Sequence, residues 1–152
     1  MKRSTEPELL DQGVDEEETQ RSLADLRFVN RWLGGRRILL EAVLPYLKPG
    51  GRLLDVGCGS ADLPAVLGQR VQGPLLAVGL DVKAAHLRQA PPGVRRVVAD
   101  VRALPFAPAS FDVVTASLFL HHFDAAELPG LLRTLHGLCR RALVVNDLRR
   151  AR

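Results

Sequence analysis

Six titratable side chains and two glycines carry most of the chemistry this chain could perform: Asp55, Asp81, Asp100, Asp147, His121 and His122, with Gly57 and Gly59. The stretch 53-LLDVGCGSADLPAVL-67 runs apolar up to Asp55 and Val56, then turns into Gly57, Cys58, Gly59, Ser60 and Ala61. A loop so poor in side chains lets a ligand lie against backbone atoms, and a helix starting near Asp62 would offer its unpaired N–H groups to an anionic group. Asp81 follows Asp55 by 26 residues and could accept both hydroxyls of a ribose. His121 and His122 are candidate general bases, and Asp147 could orient one of them. Cys58 and Cys139 have no metal-ligand spacing and form no disulfide framework; both read as small apolar filler, Cys139 late on a helix face. His86 and His136 read as exposed helix residues.

The elements that must position these groups follow a clear rhythm. Strands are expected at Arg52–Val56, Leu75–Leu80, Arg95–Ala99, Phe111–Ser117 and Ala142–Val145. Helices are expected at Asp62–Gln69, Lys83–Gln89 and Glu127–Cys139. Two earlier helices occupy the region 20–48, one from Ser22 through Leu33 and one through Ile38, Leu39, Leu40, Val43 and Leu47, separated by Gly34-Gly35. Alternating strands and helices predict an α/β domain with a mostly parallel sheet covered on both faces. The apolar runs VVTAS and ALVV fit strands buried on both sides. Residues 1–19 read as a mobile acidic tail, and 20–152 as one domain whose sheet spans 52–148. Four of the five strands end on or just before an acid, which gathers carboxylates at the rim where such sheets bind ligands.

Two ligand classes suit a glycine loop at that rim. A dinucleotide loop wants a small residue at its sixth position, where this chain has Asp62, and a carboxylate there repels a pyrophosphate. S-adenosylmethionine, with its ammonium and sulfonium groups, tolerates nearby carboxylates.

The segments LLDVGCGSADLP, VGLDV and VVADVRALPFAPASFDVVTASLFLHHF together resemble the class I S-adenosylmethionine-dependent methyltransferases, of the small-molecule type found in ubiquinone and menaquinone biosynthesis. The likeness covers about residues 22–148. It implies a Rossmann-like three-layer sandwich with strand order 3-2-1-4-5, S-adenosylmethionine as cofactor with S-adenosylhomocysteine as product, and methylation of a hydroxyl or activated ring carbon on a small molecule. It also implies that Asp55, Gly57, Cys58 and Gly59 line the methionine portion, Asp81 and Val82 the ribose, Asp100 and Val101 the adenine, and that Ser117 and Leu118 lie beside the cofactor. Ala61 stands where the family usually has a third glycine. An acceptor rim of Trp32, Phe119, His121 and Phe123 is expected. Such sheets usually have seven strands, and this sequence stops after the fifth; the fifth strand is therefore expected to be an edge open to pairing with a second copy.

Composition agrees with a soluble domain: 47% hydrophobic and 25% charged residues, with a formal net charge of +4. There is no apolar run of membrane-spanning length and no signal-peptide pattern, so the cytoplasm is the expected compartment. The positive charge is mostly arginine, and no aromatic residues interleave with it as a nucleic-acid stacking platform requires. No metal site is expected.

Overall fold

The structure, a computed structural model, describes residues 35–147. The expected tail, the first helix with Trp32, and the terminal arginines lie outside the described residues. Five strands appear in chain order: β1 (Arg52–Val56), β2 (Leu76–Asp81), β3 (Val94–Val98), β4 (Phe111–Ser117) and β5 (Cys139–Asn146). Four α-helices accompany them: α1 (Gly35–Val43), α2 (Asp62–Arg70), α3 (Ala84–Arg88) and α4 (Leu128–Leu138). The sheet order is β3-β2-β1-β4-β5, and every ladder is parallel. The α/β, Rossmann-like arrangement read from the sequence is therefore present.

Alternation along β1 and β4 builds the two cores. Leu54, Val56, Val114 and Ala116 face one side, where they meet Leu131, Leu135 and Leu138 of α4. Leu53 and Val113 face the other, packing with Leu40 and Val43 of α1 and Leu67 of α2. The three layers follow from this two-residue period on the strands and the apolar stripe on each helix. Strand order reverses between β1 and β4, which places a crevice beyond their carboxyl ends.

Three expectations change. β5 is half-exposed along much of its length rather than buried on both sides, because it is the edge of the described sheet with one neighbour, β4. Its eight apolar and polar residues begin at Cys139, directly after α4, so Cys139 opens a strand and does not lie on a helix face. His86 is buried with 8% exposure, since the short helix α3 turns His86 and Leu87 inward. His136 is exposed, as read from sequence.

At the amino end of the sheet the ladder between β4 and β5 shifts register between Phe111 and Val113. The carboxylate of Asp112, at that irregularity, accepts the Arg52 backbone N–H at 2.8 Å and lies 3.5 Å and 3.4 Å from the guanidinium Nε atoms of Arg140 and Arg141. It ties the starts of β1, β4 and β5 together.

Candidate active site at the carboxyl rim

The loop after β1 takes a shape that side chains resist. Gly57 and Gly59 have φ of 64° and 54°, in the left-handed region. A Cβ at Gly57 would run into the ring of Phe119, so the loop is closely packed as well as bent. Ala61 also has positive φ, 56°, and immediately precedes α2; the position usually held by glycine here keeps glycine's conformation without glycine. Cys58 and Ala61 rest on Gly79 of β2, where an added Cβ would lie 2.8 Å from the Cys58 sulfur. Burial, followed by the charges of Asp55 and Asp81, pushes the Cys58 thiol far above its ordinary range, which makes it a packing group rather than a nucleophile.

Asp81 ends β2 and is 8% exposed. Its Oδ2 accepts the Gly59 N–H at 2.9 Å and its Oδ1 accepts the Lys83 N–H at 2.8 Å. A carboxylate offers about four lone-pair directions, so two remain, one on each oxygen. That vacancy, beside a bare loop, suits a vicinal diol. Val82, the next residue, is 62% exposed and offers an apolar surface at the same rim.

Asp55 lies deeper. β1 and β4 pair it with Thr115, whose hydroxyl donates to Asp55 Oδ1 at 2.7 Å and lies 3.3 Å from the Leu54 carbonyl. Burial is the main cause, and the neighbouring Asp81 charge a lesser one, of a carboxyl pushed up to about 7 against the opposing effect of the Thr115 bond. Thr115 was not among the residues singled out from the sequence. A hydroxyl inside the apolar run VVTAS was the available signal, since a buried hydroxyl needs a partner.

Beyond β4 the chain turns sharply. Leu118 has φ of 50°, uncommon for a branched side chain, and its N–H donates to the Asn146 carbonyl at 2.8 Å. Phe119 then lies against Gly57, and a short 3-10 turn brings His121 and His122 to the rim. Asp147, just past β5, accepts both the His121 backbone N–H at 3.1 Å and, at 2.7 Å, the His121 Nδ1. The double contact assigns the proton to Nδ1 and the ring lone pair to Nε2. The His121 and His122 rings are 4.2 Å apart, and that of His122 is 6.4 Å from Phe119. A continuous set of contacts thus joins the glycine loop to the His121–Asp147 pair.

Two of the residues singled out have structural parts. Asp100 is exposed, and its Oδ1 accepts the Arg102 N–H at 2.8 Å, starting the 3-10 turn that buries Val101. Phe123 belongs to the core, 7% exposed, rather than to an acceptor rim; the Arg102 guanidinium sits 5.1 Å from its ring centre while bonding Glu127 at 3.0 Å. Arg102 and Glu127 were not legible as partners, because they lie 25 residues apart on different loops. Ser117 ends β4 and Leu118 follows it. No cluster of metal-ligating side chains occurs among the described residues, and no described helix is long and apolar enough to cross a membrane.

Comparison with known proteins agrees with this geometry. The chain is 33% identical over 121 residues to a 2-phytyl-1,4-naphtoquinone methyltransferase of Nostoc, covering 71% of this chain and 52% of that protein. It is 32% identical over 127 residues to the ribosomal protein L11 methyltransferase of Thermus thermophilus, covering 73% and 48%. It thus spans about half the length of either relative. A SAM-dependent methyltransferase from Aquifex aeolicus shares the fold, with TM-score 0.67, 18% identity and coverage of 88% of this chain and 73% of that one. A family profile described as a methyltransferase domain matches residues 53–142, more than half of the sequence, and the chain belongs to that family.

Proposed function

We propose that this chain binds S-adenosylmethionine at the carboxyl rim and transfers its methyl group to a small-molecule acceptor. The observation that carries the reading is Asp81, anchored to Gly59 and Lys83 with one acceptor site left on each oxygen. The donor set fits the cofactor: Asp81 and Val82 would take the ribose, Asp55, Gly57, Cys58 and Gly59 the methionine end, Asp100 and Val101 the adenine, and Ser117 and Leu118 the reacting side. When bound, the cofactor supplies an electrophilic methyl group already activated by its sulfonium. The protein's part is alignment and removal of the acceptor's proton. His121 Nε2 receives that proton, and Asp147 keeps the imidazole in the required tautomer; His122 flanks the acceptor. The acceptor would gain the methyl carbon as the carbon–sulfur bond of the sulfonium breaks to leave the thioether of S-adenosylhomocysteine, and its lost proton would reside on His121.

Titration calorimetry tests the cofactor half: S-adenosylhomocysteine should bind and NAD should not, and binding by NAD alone would replace this reading with an oxidoreductase. Asp147→Asn tests the catalytic half, with kcat falling by about 10²–10⁴ while the S-adenosylhomocysteine Kd holds.

A second reading is a cofactor-binding module without catalysis. Cofactor binding with no methylated product from quinol, phenol or ribosomal-protein acceptors would select it. The β5 edge of the described sheet is proposed to pair with a second copy through the backbone groups on its outer side, and light scattering with rising concentration reads that out. Both cysteines are free thiols, which supports a reducing, cytoplasmic setting. Nucleic acid is not proposed as a partner.

A further inference from the structure

His86 is a buried histidine that the proposed chemistry does not use. Its side chain is 10% exposed, and neither ring nitrogen has a hydrogen-bond partner among the described residues. Leaving such atoms unpaired is costly, and native structures rarely tolerate it without a reason. Asp81 Oδ1 lies 3.5 Å from Nδ1: too long for a good hydrogen bond and close enough to form one after a small movement.

We infer that His86 is a positioning residue for Asp81 that, once protonated, takes the acceptor site on Oδ1 that a ribose hydroxyl needs. This inference rests on the S-adenosylmethionine reading above. Oδ1 already holds the Lys83 N–H, so it has one direction left. An imidazolium Nδ1–H closing on that direction competes with the incoming hydroxyl and neutralises the carboxylate. The neutral ring carries no charge to offset the carboxylate, and with its proton on Nε2 it offers Oδ1 no donor. His86 therefore makes occupancy of the ribose site depend on protonation from beneath, with no direct contact to the ligand, since both ring nitrogens are shielded from solvent.

The groups around His86 are few. α3 itself carries Arg88, and Lys83 precedes it. β3 carries the exposed Arg95 and Arg96, the latter donating to the Ala90 carbonyl at 2.8 Å. β2 contributes Asp81, behind which stand Asp55 and Cys58. Asp55 titrates in its own right, and the difference between wild type and a histidine-free variant removes its contribution.

The experiment is calorimetric titration of S-adenosylhomocysteine into wild type and His86→Met at about pH 8 and about pH 5.5, an interval spanning the range in which histidines as a class change charge. The two proteins should bind alike at the higher pH. At the lower pH the variant should bind about tenfold more tightly than wild type, because it lacks the competing donor. A merely structural histidine predicts the reverse: weaker binding by the variant, by the same factor at both pH values. Either that result or an unchanged ratio overturns the inference. If His86→Met does not fold, His86→Leu is read in the same way. Absence of binding to wild type at the higher pH is a different failure, because it removes the cofactor reading itself.

Discussion

At the amino end of the sheet the carboxylate of Asp112 faces two guanidiniums and one backbone N–H, whereas at the carboxyl end Asp55 and Asp81 have a threonine hydroxyl and backbone N–H groups as their hydrogen-bond donors. Each end holds acid: Asp112 alone at the amino end, Asp55 and Asp81 at the carboxyl end. At the amino end the charge is matched within the protein, and the arrangement is complete. At the carboxyl end two acids stand close together with His86 3.5 Å from Asp81 in place of an arginine, and Asp55 is driven up to about 7 as a result of its burial and, secondarily, of Asp81. A buried pair of carboxylates with no guanidinium against it is unfavourable for folding, and the proposed cofactor would bring cationic groups to it.

That contrast can be broken by substitution at each end. Asp81→Ala should reduce S-adenosylhomocysteine affinity by about 1–3 kcal/mol, roughly ten- to hundredfold, through loss of a charged acceptor for the ribose. If calorimetry shows an unchanged Kd, the two ends do not differ in the way described. Asp112→Ala should do the opposite. It should lower unfolding stability by about 1–2 kcal/mol in urea titrations, by orphaning the Arg52 N–H, and leave the Kd within about twofold, since the site lies at the other end of the strands.

Asp55 sharpens the comparison through pH. Its folded value lies above the unfolded carboxyl value, so its protonated form favours the native state. The stabilisation is present below about pH 4, where both states are protonated, and is lost as pH rises through about 7. Asp55→Asn removes that dependence while leaving an oxygen for Thr115. Relative to wild type, the variant should gain stability by about 1 kcal/mol per pH unit across this window. A constant difference from about pH 5 to about pH 8 would mean that Asp55 ionises as an ordinary carboxyl.

The smallest expected effect concerns backbone strain. Ala109 is an exposed turn residue with φ of 52°, and Leu118 has φ of 50° at the rim. Ala109→Gly should stabilise the fold by about 0.5–1 kcal/mol, since no packed side chain is lost. Leu118→Gly relieves the same strain but should alter S-adenosylhomocysteine binding as well, which Ala109→Gly should not.

Much of this protein is written in local pattern. The β1 and β4 boundaries, the alternation that sorts Leu53 from Leu54, the glycine loop and the acids at successive strand ends are all readable because each depends on near neighbours in the chain. Asp147 could be proposed as the partner of His121 because both follow adjacent strands in a parallel sheet. Tertiary structure alone decided the rest. His86 and Phe123 face inward because of what α3 and the 3-10 turn pack against, and an isolated residue's polarity or size does not report that. The Asp55–Thr115 bond and the Arg102–Glu127 pair span 60 and 25 residues, and they arise from strand register and loop convergence. The same holds for the unequal treatment of acids at the two ends of the sheet: sequence supplies the carboxylates, but which of them meets an arginine depends on three strands starting at one place.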